Sequence, residues 1–176
     1  FFKRYYYVMT ATLFIVLSIS VAVFYIEAVS DYNMRLKLMK KMAHERLLGI
    51  EFLMKEAIGH VDGMRYAAEQ FLAEHPVIEH RSKLLSMIKD HPGNFYALDE
   101  VTPPYDKSMT GNLTGNGSFK KRDEAFYREV EMALSLNSQF HTAIKNIPYV
   151  TWTYYTSRNR FLNLAPHAVS KEYQFN

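Results

Sequence analysis

The sequence predicts an α+β chain in which an N-terminal transmembrane helix continues into a long stalk helix, followed by an antiparallel sheet flanked by helices. Three observations carry that expectation. The 22 residues from Tyr5 to Ile26 pass without a single charge. Apolar residues then recur every three or four positions from Leu36 to Phe71. After Pro148 comes a stretch dense in β-branched and aromatic residues.

The opening run, YYYVMTATLFIVLSISVAVFYI, forms a helix of roughly 33 Å, enough to cross the hydrocarbon core. A cleaved signal peptide would have an apolar core of about 7–15 residues ending in small side chains. Here the run ends in Phe24, Tyr25 and Ile26, so an uncleaved anchor is expected. Tyr5, Tyr6 and Tyr7 at one end and Tyr25 at the other suit the two interfaces. Orientation stays open on charge: Lys3 and Arg4 abut one end, and Arg35, Lys37, Lys40 and Lys41 follow the other.

The stripe Leu36, Met39, Ala43, Leu47, Ile50, Met54, Ala57, Val61, Met64, Ala68 and Phe71 marks a second helical stretch over residues 27–75. From Leu47 it keeps strict 4-3 spacing, and the preceding 4-4 step is a stutter. From Met34 to Glu74 it measures roughly 60 Å, long for a compact domain. Two roles fit it, a dimerising signalling helix or an amphipathic helix lying on its own domain, and the later turns allow both. His75-Pro76 ends it, because proline pushes the preceding residue out of the helical region.

Residues 76–176 form the globular part. Leu84, Leu85 and Ile88 suggest a short helix closed by His91-Pro92-Gly93, and Asn94 to Asp99 read as a strand. Residues 102–118 are rich in turn-formers and read as a loop. Asp123 is the expected N-cap of a helix over Ala125 to Ile144. Tyr149 to Thr156 form a strand, Arg158-Asn159 a tight turn, and Phe161 to Ala165 the returning strand. Only three clear strands are legible, with Ser170 to Asn176 able to start a further segment.

Composition narrows the function. The 176 residues are 48% hydrophobic and 22% charged, the balance of a folding chain. The net charge is +3, of which Lys3 and Arg4 contribute two, so no basic footprint for nucleic acid exists. Without cysteine there is no disulfide framework, thiolate metal site or cysteine nucleophile. Gly111 to Gly117 lacks the Gly-Lys-Ser/Thr ending of a phosphate loop and reads as a turn. Asn112-Leu113-Thr114 and Asn116-Gly117-Ser118 match the glycan-acceptor pattern, which needs a eukaryotic secretory route. His44-Glu45 begins like a zinc-protease helix, but Leu48 stands where the second His belongs. None of the seven histidines pairs into a convincing ligand set, and no catalytic carboxylate pair or serine elbow is present. What remains is aromatic: alternation puts Val150, Trp152 and Tyr154 on one strand face and Tyr149, Thr151, Thr153 and Tyr155 on the other. Trp152, Tyr154, Tyr149 and Tyr155 are therefore the candidate ligand-binding residues, with no catalytic, metal or cofactor site expected.

The run Pro148-Tyr149-Val150-Thr151-Trp152-Thr153-Tyr154-Tyr155-Thr156-Ser157 with Phe161-Leu162-Asn163-Leu164-Ala165-Pro166 resembles the Pro-x-Val-x-Trp-x-Tyr-Tyr-x-Ser and Phe-Ile-Asn-x-x-Pro pattern of extracytoplasmic Cache sensor domains. Phe95 to Asp99, Gly111 to Gly115 and Glu129 to Leu134 also look like that family, and the likeness covers residues 27–176. It implies a PAS-like sheet, a dimerising N-terminal helix, a pocket for a small-molecule ligand, a cytoplasmic residue 1–4 segment and a periplasmic sensor held in the inner membrane. Such domains serve bacterial receptors, often diguanylate cyclases or histidine kinases whose output lies further along the chain. Thr151 stands where amino-acid-binding relatives carry an arginine, which argues against that ligand class. The chain is thus expected to be the anchor and part of the sensor of a longer receptor, homodimeric through its stalk. The alternatives are a membrane-anchored adaptor for another periplasmic protein, or an enzyme with its catalytic domain beyond Asn176.

Overall fold

The structure, a computed structural model, describes residues 2–78 and 80–172. Helix α1 is recorded as Phe2–Glu74, and the chain divides into two compact units, Phe1–Phe52 and Leu53–Asn176. In the first unit the apolar side chains stand outward: Leu13, Phe14, Val16 and Leu17 are all at least 60% exposed. The best 18-residue window averages a hydropathy of 2.2 with none of it buried, so this helix is long and apolar enough to cross a membrane. Thr10, Thr12 and Ser20 return their hydroxyls to carbonyls three or four residues back, which satisfies them without water.

The second unit joins the last turns of α1 to a five-stranded antiparallel sheet and short helices. Its elements are α2 (Lys83–Met87), β1 (Lys89–His91), β2 (Phe95–Ala97), β3 (Asn112–Asn116), α3 (Glu124–Ser135), α4 (Asn137–Asn146), β4 (Thr153–Thr156), β5 (Phe161–Ala165) and a 3-10 turn, Ser170–Glu172. The sheet order is β1-β2-β3-β5-β4. The α+β class and the long first helix are as expected, and the strand inventory is corrected. Residues 112–116 are not loop but the central strand. Its polar, glycine-containing sequence hides this, because Asn112 and Thr114 spend their polarity on buried partners and Gly115 makes room for a ring. Lys89–His91 likewise pairs with β2 instead of ending a helix.

The expected helix Ala125 to Ile144 divides at Leu136. Asp123 caps α3 as predicted, its carboxylate accepting from the Phe126 N–H at 2.8 Å. The break follows from Asn137, whose Oδ1 turns inward to accept from Gly111 N–H at 3.2 Å and Asn163 Nδ2 at 3.0 Å.

Strand register sorts the two sheet faces, since cross-strand partners share a face. Tyr96, Leu113, Gly115, Phe161, Asn163 and Tyr155 face the helices. There they meet Phe119, Phe126, Tyr127 and Val130 in a core of edge-to-face rings. A second cluster, Met132, Leu136, Phe140 and Ala165, receives Met64, Ala68, Phe71 and Leu72 of α1. The late turns of the stripe therefore pack on their own domain. The opposite sheet face carries His91, Ala97, Asn112, Thr114, Leu162 and Leu164.

Candidate functional site

That second face holds a cleft built on one carboxylate. Asp99 follows β2, where the chain leaves the sheet, and its side chain is 14% exposed. Oδ1 accepts from Asn112 Nδ2 at 2.8 Å and from the Ser170 N–H at 2.7 Å, and Oδ2 accepts from the Ser170 hydroxyl at 2.5 Å. His91 Nε2 stands 3.5 Å from Oδ2, its ring stacked on Phe95. Burial, the largest single influence on Asp99, pushes its carboxyl up, but the Ser170 and Asn112 hydrogen bonds and the nearby His91 together outweigh it. The group is held below the usual carboxylate range.

Asn112, fully buried, completes the floor. Its amide also donates to the Ala168 carbonyl at 2.6 Å, while its Oδ1 accepts from the Leu98 N–H at 3.1 Å. One side chain thereby ties β3 to the end of β2 and to the segment after β5. His167 spans the same junction, with Nδ1 at 3.2 Å from the Thr110 carbonyl and Nε2 at 3.3 Å from that of Asp99. A glycan on Asn112 is sterically excluded in this fold.

Above the floor lies a cleft of about 410 Å³, walled by Lys89, His91, Glu100, Lys107, Val169 and Lys171. Lys89 pairs with Glu100 at 2.5 Å. Lys107 and Lys171 form no ion pair among the described residues, so the wall carries a positive excess. Serine, aspartate and histidine meet here, but the Ser170 hydroxyl donates to Asp99 and not to His91. That order differs from a nucleophilic triad, in which the imidazole takes the serine proton. The arrangement suits binding: one carboxylate with three hydrogen bonds sets the walls, and exposed lysines line the mouth.

The four aromatic candidates fall elsewhere. The strand expected from Tyr149 begins only at Thr153, because a turn at Pro148-Tyr149 holds residues 149–152 off the sheet edge, with Val150 N–H donating to the Ile147 carbonyl. Tyr149 has φ +70° and is 90% exposed. Trp152 is half exposed. Alternation holds within β4: Tyr154 points out and Tyr155 toward the helices. Tyr154 and Tyr155 do share a groove, with Met64, Ala68, Met132 and Phe140. The Tyr155 hydroxyl is committed, donating to Glu129 Oε1 at 2.7 Å, and its burial raises its pKa. Glu129 also accepts from Ser157 Oγ and Asn159 Nδ2, both at 2.6 Å, which rivets the β4–β5 hairpin to α3.

The Asp99 group escaped sequence reasoning because residues 91, 99, 112 and 170 share no spacing; only the fold converges them. Among the described residues no cluster of three or more metal-type ligands occurs. The chain matches no protein-family model, no curated protein and no solved structure, so its site is read from its own geometry.

Proposed function

We propose that this chain is the ligand-sensing part of a membrane-anchored bacterial receptor of the Cache type, with its sheet unit in the periplasm and two copies joined through α1. The observation that carries the reading is the Asp99 cleft, a concave polar site on the sheet face opposite the helices. Its walls come from β1, the loop after β2 and the segment after β5. A small polar ligand seated there touches Lys89 and His91 on one side and Val169 and Lys171 on the other. It thereby favours one position of the Ser170 segment relative to the sheet. Such a bias acts as a population shift, and it requires the ligand to distinguish two arrangements by ~1–3 kcal/mol. The apolar first unit supports the membrane anchor, and the antiparallel sheet with helices on one face supports the family resemblance.

The test is thermal unfolding of the whole chain in lipid nanodiscs against a panel of sugars, carboxylates and amino acids. A ligand at 100 times its Kd contributes about 2.7 kcal/mol and moves Tm by several degrees. The shift should vanish in the His91→Ala, Lys171→Ala double variant. Stoichiometric co-purification of another protein, with no compound moving Tm, would replace the sensor by an adaptor.

A further inference from the structure

A second concavity of the sheet unit lies away from Asp99, where α1 gives way to the chain leading into α2. It encloses about 720 Å³. Its floor is Glu131 of α3, only 7% exposed. Among the described residues its hydrogen-bond donor is the Ser82 N–H, at 2.6 Å to Oε1. A carboxylate offers about four lone-pair positions, and a buried one without a counter-charge is costly. The nearby cations are turned elsewhere: Arg81 to Glu124 at 3.0 Å and onto the Tyr127 ring, and Arg128 to the Leu72 carbonyl at 2.7 Å. Beside Glu131, the Ser82 hydroxyl is buried with no hydrogen-bond partner.

The walls complete the chemistry. Phe71, Val77 and Ile78 supply apolar surface, and the Phe71 ring stacks on His75 with centroids 4.4 Å apart. Glu74 adds a second carboxylate, His75 and His80 add imidazole rings, and among the described residues no lysine or arginine lines the space. We propose that this pocket binds a primary organic ammonium with a compact apolar body. The –NH3+ group donates to Glu131 and to the Ser82 hydroxyl, satisfying both, while the apolar body lies against Phe71, Val77 and Ile78. The site is separate from the Asp99 cleft and does not depend on the sensor reading.

The experiment is titration calorimetry of the full chain in a neutral detergent at pH 8, with benzylammonium chloride as probe and sodium benzoate as the anion of similar shape. Saturable binding of benzylammonium and none of benzoate is expected. Glu131→Gln should weaken binding at least tenfold, since the amide keeps an oxygen for the Ser82 N–H but loses the charge. Ser82→Ala should weaken it severalfold, and it decides the matter if the glutamine variant fails to fold. Absence of saturable binding to the parent chain, equal binding of benzoate, or unchanged affinity in whichever variant folds would each overturn the proposal.

Discussion

Gly115 of β3 lies directly against the ring of Tyr96, its cross-strand partner on β2: a methyl group on its Cα would overlap the phenol and stand 2.7 Å from the Phe161 Cβ. Tyr96 is fully buried, so the ring has nowhere to retreat. Gly115→Ala is therefore expected to cost ~2–3 kcal/mol through overpacking, lowering Tm by roughly 5–10 °C in a thermal melt. A loss under 0.5 kcal/mol would mean the sheet relaxes freely there.

Asp99 makes stability depend on acid. Its folded pKa lies below the unfolded value of about 3.9, so its contribution is present above that value and lost as pH falls through the folded pKa. Asp99→Asn should lower the urea midpoint at pH 7 and flatten the decline between pH 5 and pH 3. Parallel curves for the two proteins would remove the carboxylate from this role.

Asn112 is a glycan acceptor by pattern and a core residue by position. Expressed through a eukaryotic secretory route, the folded chain should carry no sugar at Asn112, which site-resolved peptide mapping reads apart from the exposed Asn116. Asn112→Ala removes bonds to Asp99, Ala168 and Leu98, and is expected to cost about 2–4 kcal/mol.

The two adjacent tyrosines of β4 should separate cleanly. Tyr155→Phe leaves Glu129 short of one donor and is expected to cost ~1–2 kcal/mol, whereas Tyr154→Ala, at a 62% exposed position, should stay within ~0.5 kcal/mol. Chemical denaturation of both variants provides the comparison, and equal losses would contradict the inward and outward placement.

The first unit makes a membrane prediction. Val16→Arg places a charge near the middle of the apolar run at a cost of about 3 kcal/mol, so the variant should appear in the alkaline carbonate supernatant while the parent chain stays with the vesicles. Release of the parent chain would refute the anchor.

Much of the architecture was legible because its signals are local. The uncharged run, the 4-3 stripe, the Asp123 cap and the β4–β5 hairpin each depend on neighbours a few residues apart. The central strand was not, because Asn112, Thr114 and Gly115 are chosen for partners far along the chain: Asp99, Ala168, Tyr96 and Phe161. The helix break at Leu136 hides for the same reason, since Asn137 answers to Gly111 and Asn163. The site follows suit. Aromatic alternation in β4 was readable, but the cleft arises where three distant stretches meet on one carboxylate.

The pairing of β3 with β5 sets an order of events during synthesis. Leu113 meets Asn163, and the two helices between them must be complete before the sheet can close. Until the ribosome has released Ala165, the nascent chain presents the open side of β3, with its backbone donors and acceptors bare, as a template for stray strands. At that stage the bare edge is the part of the sheet most open to pairing with a second copy of the chain.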